Sequence, residues 1–414
     1  MSTGSSQAYH LIRSSLAVGS ETFKKNANDD WFNTEINGSE VKGNLQLSPD
    51  PNQLTYLNPN DLEQLQEQME QLLVKMSDLT ADVLDILSIQ WLKGERTSKS
   101  GSIFLTIDDF LKYRGLKPKK SRNRKAGYRD DQRSSISYHL NILKNLWVTI
   151  KELKVKEMVD GQIKRKTIAV DGPLIFLDAR IRKIDDETGE EEIVGYEIRP
   201  GLPLARILYD TNQVALLSQK ALSYDHQKFK LEKRLTRYLS YLWRVRQQTN
   251  SYTKPISVKK ILKQIKMEVN YQRPSRTRNR FEDTLDRLEN DGVIAEWRYI
   301  DFVDIDKKKW IEKWLESNVI IFPPDEIVQH YEPMQKSPDI LENDSGRKSK
   351  NNKDNHIGKK LMEKRKSLNL TMSQVAEQIG INVSTISRIE NGKSNPRGKN
   401  KKRILDWIDG KGDL

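Results

Sequence analysis

The apolar positions of the chain fall into short periodic runs, and the runs repeat. Phe281, Leu285 and Leu288 recur at helical spacing, Gly292 follows, and the β-branched pair Val293-Ile294 suits a strand. Ile136, Leu140, Leu143 and Val148 show the same pattern 145 positions earlier. Ahead of each run lies a matching segment, Leu105 to Lys112 against Ile256 to Lys263, at an offset of 151. Before that, Val83 to Trp91 matches Leu235 to Trp243 at an offset of 152. Three segments recurring in one order predict a duplicated module: helix, short strand, helix, helix, strand, strand.

That order is the one a winged helix needs, with the third helix exposed for a DNA groove and a β-hairpin beside it. The spacing places the first copy over residues 79–170 and the second over 216–324, with a β-rich connection over 171–215. In the first copy Thr80 and Thr106 are placed to cap helices. A basic stretch with Lys117, Lys119, Lys120, Arg122, Arg124, Lys125, Arg129 and Arg133 leads into the third helix, and contact with phosphates or the minor groove is expected of it. On that helix Ser135, Tyr138 and Asn141 point away from the apolar stripe. Strands on either side of Asp160-Gly161 form a hairpin, and Lys164, Arg165 and Lys166 make it a basic wing. In the second copy Arg276, Arg280 and Arg287 fall opposite the Phe-Leu-Leu stripe, with Arg278 beside them, giving a cationic face. The carboxylates from Asp185 to Glu192 are read as exposed turn residues rather than a metal site.

Outside the repeat, residues 1–58 lack apolar periodicity and are expected to be disordered. Residues 59–78 form an amphipathic helix whose Leu62, Leu65, Met69, Leu72 and Met76 follow a 3,4 spacing. This seam packs on its own module or pairs two chains as a homodimer. Residues 325–355 are polar and aperiodic, as in a flexible linker.

Two tandem winged helices in a basic chain resemble the plasmid replication initiators that bind repeated origin sequences. The final segment, residues 356–414, resembles the helix-turn-helix of the Cro and C1 type found in phage repressors. Thr371 caps a helix with Gln374 three residues on, Gly380 supplies the turn, and Ile381, Ile386 and Ile389 surround Val375 and Ile379. By this resemblance Ser384 and Arg388 reach base edges, Asn391 and backbone amides lie near phosphates, and Thr385 is a further DNA-binding position. Where that family often carries Gln at the start of the preceding helix, this chain has Met372. The expected fold class is therefore α+β: two tandem winged-helix domains with β-hairpin wings, then a small all-α helix-turn-helix domain.

Composition narrows the partners. The 414 residues carry a formal charge of +13, which asks for a polyanion. No apolar run is long enough for a membrane span and no leader pattern opens the chain, so DNA and a cytoplasmic setting are expected. There is no cysteine, and His10, His139, His226, His330 and His356 are scattered, so no metal or cofactor is expected. Gly392-Lys393-Ser394 lacks the earlier glycine of a phosphate loop, because position 387 is Ser387. No paired histidines accompany a nucleophilic tyrosine. The expectation is a non-enzymatic, sequence-specific DNA-binding replication initiator that takes repeated duplex sites and recruits host replication proteins. A transcriptional repressor or autoregulator and a partition or architectural protein are the alternatives.

Overall fold

The computed structural model describes residues 1–25, 30–49, 59–94, 101–119, 127–159, 162–184, 186, 189–211, 213–301, 303–304, 309–331, 357–368, 370–381, 383–390, 396 and 398–410. They form a mixed α+β chain in two compact units. One holds Met1–Tyr252 and Lys259–Val293, the other Thr253–Val258 and Ile294–Leu414.

The first unit opens with strand β1 (Ser2–Gly4) and helix α1 (Gln7–Val18), followed by β2 (Lys24–Lys25), β3 (Phe32–Glu35) and β4 (Val41–Leu47). Disorder was expected over 1–58; the described parts of that stretch are folded, and residues 50–58 lie outside them. Ser6 caps α1 by accepting from the Tyr9 N–H at 3.2 Å, and Ala8, Tyr9, Ile12 and Leu16 are buried at helical spacing. The Ser- and Gly-rich residues before it and the polar stretch after it mask this short run. β4 buries Val41, Leu45 and Leu47; beside its neighbour β3 it pairs with a strand about a hundred residues on, a pairing no local pattern announces.

Helix α2 (Pro59–Lys75) precedes the first copy of the repeat: α3 (Asp78–Lys93), β5 (Ile103–Thr106), α4 (Ile107–Tyr113) and α5 (Asp130–Lys144). The α2 seam is spent inside the chain, since Met69, Leu72 and Met76 are buried and Leu62 and Leu65 pack on the same core. The cap of α3 is one turn earlier than expected: Ser77 precedes the helix, and the Thr80 hydroxyl accepts the Ser77 N–H at 3.1 Å. Thr106 caps α4 reciprocally with Asp109, at 3.0 and 3.1 Å. After α5 come two hairpins, β6 (Leu146–Val159) with β7 (Gln162–Pro173), and β8 (Ile175–Ile184) with β9 (Glu191–Pro200), then β10 (Val214–Leu216).

The pairing of β5 corrects the expected wing. It runs antiparallel to β9, in the sheet order β5-β9-β8, while β6 joins the N-terminal strands in the order β2-β3-β4-β6-β7. The hairpin β6–β7 therefore does not supply the partner of β5, and its expected turn residues, Asp160 and Gly161, lie outside the described residues. Nor are residues 171–215 a connection: β8 and β9 complete the first copy's sheet, with Tyr196 and Ile198 buried, and β10 pairs with β1. Both hairpins have good local signals, so only the long-range partner of β5 distinguishes them.

The second copy contributes α6 (Lys230–Gln247), α7 (Val258–Ile265) and α8 (Pro274–Asn290). Phe281, Leu285 and Leu288 are fully buried on α8, as are Ile136, Leu140 and Leu143 on α5. Each such side chain contributes roughly 1.5–3 kcal/mol. Trp91 and Trp243, in register in the repeat, are both buried.

In the second unit, β11 (Ile256–Ser257), β12 (Glu296–Tyr299) and β13 (Asn318–Phe322) form a sheet in the order β11-β13-β12. This is the order of β5-β9-β8, with the short first strand beside the last. Val293-Ile294 is not a strand; both are buried in the turn that leads to β12. Helix α9 (Trp310–Glu316) was not foreseen, and α10 (Asp325–Tyr331) occupies the start of the expected linker, whose remainder lies outside the described residues. The C-terminal helices are α11 (Ile357–Ser367), α12 (Met372–Ile379), α13 (Val383–Glu390) and α14 (Gly398–Ile408). Their own core is Ile357, Leu361, Val375, Ala376, Ile379, Ile386, Ile389 and Ile404.

Candidate nucleic-acid interface

Helix α8 starts where Pro274 sets the first turn and the Asn270 N–H reaches the Thr277 hydroxyl at 3.0 Å. It ends at Gly292, whose φ of 71° admits the left-handed turn, and the Val293 N–H closes on the Leu288 carbonyl at 2.8 Å. Arg276, Asn279 and Asp283 are exposed along it. The other arginines are not simply outward. Arg278 donates to Glu282 at 2.8 Å, while Arg280 and Arg287 approach the two oxygens of Glu232 on α6 at 3.4 and 3.5 Å. Arg287 also lies over the Phe229 ring, 4.5 Å from its centroid.

Helix α5 is engaged differently. Asp130 and Asp131 occupy its first turn, and Arg129 pairs with Asp131 at 3.3 Å. Arg133, expected at phosphates, binds Asp108 at 2.9 and 3.0 Å and Glu192 at 2.7 Å. The Asp108 hydrogen bonds, and then the Asp108 and Glu192 charges, hold its guanidinium above the ordinary value. Tyr138, expected to face bases, donates to the Gln71 carbonyl at 3.0 Å and lies under Lys75 of α2. Ser135 is half-buried, and Ser134 and Asn141 are exposed. His139 is buried against the Thr80 hydroxyl at 2.9 Å, and burial takes its pKa down to about 3.

The basic loop is closed at its base, where Lys119 and Gly127 exchange backbone hydrogen bonds of 2.9 and 3.2 Å. Lys120, Arg122, Arg124 and Lys125 lie outside the described residues. Lys164, Arg165 and Lys166 are exposed on β7 opposite Glu157, Lys156 and Val155. β4 pairs with β6 only as far as Leu153, so these three sit on the part of the hairpin beyond the sheet.

In the C-terminal bundle, Thr371 and Gln374 cap α12 reciprocally at 3.2 and 2.8 Å. Gly380 takes φ 70° and ψ 36°, and the Ile381 N–H reaches the Ala376 carbonyl at 3.0 Å, turning the chain toward α13. Gly358 is required by close packing, because a Cβ there would stand 2.0 Å from the Ile389 carbonyl oxygen. Arg365 forks onto Glu390 with two bonds of 2.7 Å, tying α11 to the end of α13. Met372 packs on the apolar core. Thr385 is half-buried; Ser384 and Arg388 lie on α13 with side chains outside the described set, as does Asn391 altogether.

The sequence reading missed the most heavily charged cluster, inside the first unit. Asp78, Asp82 and Asp85 on α3 face Lys233, Arg234 and Arg237 on α6. Arg234 meets Asp78 at 2.9 Å, Lys233 meets Asp82 at 3.0 Å, and Arg237 binds Asp78 at 3.0 Å, Asp85 at 2.9 Å and also Asp82. Arg13 of α1 adds a 3.0 Å pair to Asp85, and Arg114 stands 3.4 Å from Asp82. Burial pushes Asp85 upward, but Arg13 and Arg237 outweigh it and hold the carboxyl below the usual range. Burial lowers Lys233 to about 8 against the pull of Asp82. The signal was available: three aspartates at i, i+4 and i+7 on an otherwise apolar helix need buried partners. Among the described residues, no helix is long and apolar enough to cross a membrane.

Residues 361–406 match the helix-turn-helix family, so the bundle α11–α14 carries that motif. Two crystal structures of RctB domains 2 and 3 align with this chain at 11% and 13% identity, covering 76% and 78% of it and 97% and 100% of the RctB chains, with TM-scores of 0.39 and 0.42. No curated protein matches the chain.

Proposed function

We propose that the chain is a sequence-specific DNA-binding replication initiator of a plasmid-like element, cytoplasmic and without chemistry of its own. The observation that carries DNA binding is the helix-turn-helix at residues 361–406, with the Thr371 cap and Gly380 turn in place. The two repeat copies are read as winged helices, supported by the shared strand orders β5-β9-β8 and β11-β13-β12. In this reading α8 and α13 meet the duplex, and Lys164, Arg165 and Lys166 add phosphate contacts. Repeated origin sites are the expected target, and host replication proteins the expected recruits.

Binding-site selection with the full chain tests base reading. The parent selects a consensus, and Arg388→Ala relaxes one base position by about 1–3 kcal/mol; selection of no consensus, or one unchanged by the variant, sinks it. Initiation is tested by asking whether the coding region beside direct repeats sustains a circular replicon. The Cro-type motif favours a second reading, a transcriptional repressor or autoregulator, for which a lone inverted repeat upstream of a promoter would be the selected site.

A further inference from the structure

We infer that Arg280 and Arg287 form a phosphate clamp on the duplex backbone, oriented by the buried carboxylate of Glu232; this rests on the DNA-binding reading above. Glu232 is fully buried on α6, and its Oε1 accepts no hydrogen bond from the described residues; Arg287 Nε stands 3.5 Å away. Arg280 reaches Oε2 at 3.4 Å and the Lys228 carbonyl at 3.4 Å through one nitrogen. The arginine side chains remain 38% and 45% exposed, so each is still open to a partner from solvent. A guanidinium has five donors in a rigid plane, and these contacts use few of them.

Leaving Glu232 for a phosphate would strand a buried charge, which is strongly unfavourable. The arginines therefore stay on the carboxylate and offer their outer donors. Phe229, under Arg287 at 4.5 Å, limits the second fork to one plane. At the repeat's offset of 152, the first copy has Thr80 where the second has Glu232, and Thr80 meets a neutral histidine. The clamp belongs to the second copy alone. Glu232 is thus a positioning residue, one that lowers net positive charge yet raises affinity.

The test measures full-chain binding to a random-sequence duplex across a salt series. Arg280→Gln with Arg287→Gln should lower the slope of log K against log salt by about 1.8, two contacts at roughly 0.9 each. Glu232→Gln should weaken binding about tenfold although it removes a negative charge, and should have no further effect in the double-glutamine background. Charge attraction alone predicts the reverse, so binding by Glu232→Gln that equals or exceeds the parent overturns the clamp. Arg280→Lys with Arg287→Lys keeps the charge and the surface position. It should also lose affinity with an unchanged melting temperature; full retention of affinity overturns the clamp even if Glu232→Gln does not fold. A parent that binds no duplex defeats the DNA reading itself, whereas a parent that binds with these variants unaffected defeats only the clamp.

Discussion

In the first copy the third helix is anchored by neutral contacts, His139 on Thr80 and Tyr138 on the Gln71 carbonyl, and its one inward arginine is consumed by Asp108 and Glu192. In the second, the third helix leans on a buried glutamate through two half-exposed arginines, with Arg276 free to extend the same cationic side. The apolar stripes are equivalent and equally buried. The two copies agree in the core, where any change of volume is felt, and differ in their polar faces. One helix has its polar side chains turned to the chain itself, and the other keeps two arginines half open to solvent.

The largest effect expected from breaking this arrangement lies between the copies. Asp85 separates the buried guanidiniums of Arg13 and Arg237, and Asp85→Ala leaves both without that partner. Stability should fall by about 3–5 kcal/mol in urea unfolding; a loss below about 1 kcal/mol would show that the network is dispensable.

A smaller effect separates the copies by pH. His139 has a folded pKa near 3 against an ordinary 6.5, so the unfolded chain binds a proton that the folded chain refuses. Its contribution is intact above about pH 6.5 and is lost as pH falls toward 3, reaching about 2 kcal/mol at pH 5. The second copy has Thr284 at the equivalent position, buried and donating to the Arg280 carbonyl at 2.9 Å, with nothing to titrate. His139→Gln should therefore flatten the loss of stability between pH 7 and pH 5, leaving the similar share from buried His10. An unchanged pH profile would contradict this assignment.

The smallest effect tests whether Tyr138 serves the fold rather than the DNA. Tyr138→Phe removes the bond to the Gln71 carbonyl and should cost about 1 kcal/mol of stability with duplex affinity unchanged. A loss of affinity at equal stability would return Tyr138 to the interface.

What the sequence made legible was local. The Phe281, Leu285, Leu288 stripe, the Thr106 and Thr371 caps and the Gly380 turn each depend on residues within a turn or two of one another. The wing was misplaced because the partner of β5 lies some ninety residues away, and both hairpins satisfy the same alternation and turn chemistry. The arginine face of α8 was drawn from helix angles alone, which show where a side chain starts but not that Glu232 waits beneath it. The N-terminal helix is a single apolar run between Ser-, Gly- and Asn-rich stretches, and what buries it lies far along the chain, on α3 and α6.

The most direct test of the account uses the absence of cysteine from the chain. Ser134 on α5 and Asn279 on α8 stand at equivalent, exposed positions of the repeat. A photoactivatable cross-linker is attached to the single thiol introduced by Ser134→Cys or by Asn279→Cys, and each labelled protein is irradiated with the selected duplex. Cross-links to DNA concentrated at position 279 are the predicted result. Equal labelling from both positions, or labelling from 134 alone, would contradict a DNA interface centred on the second copy's helix.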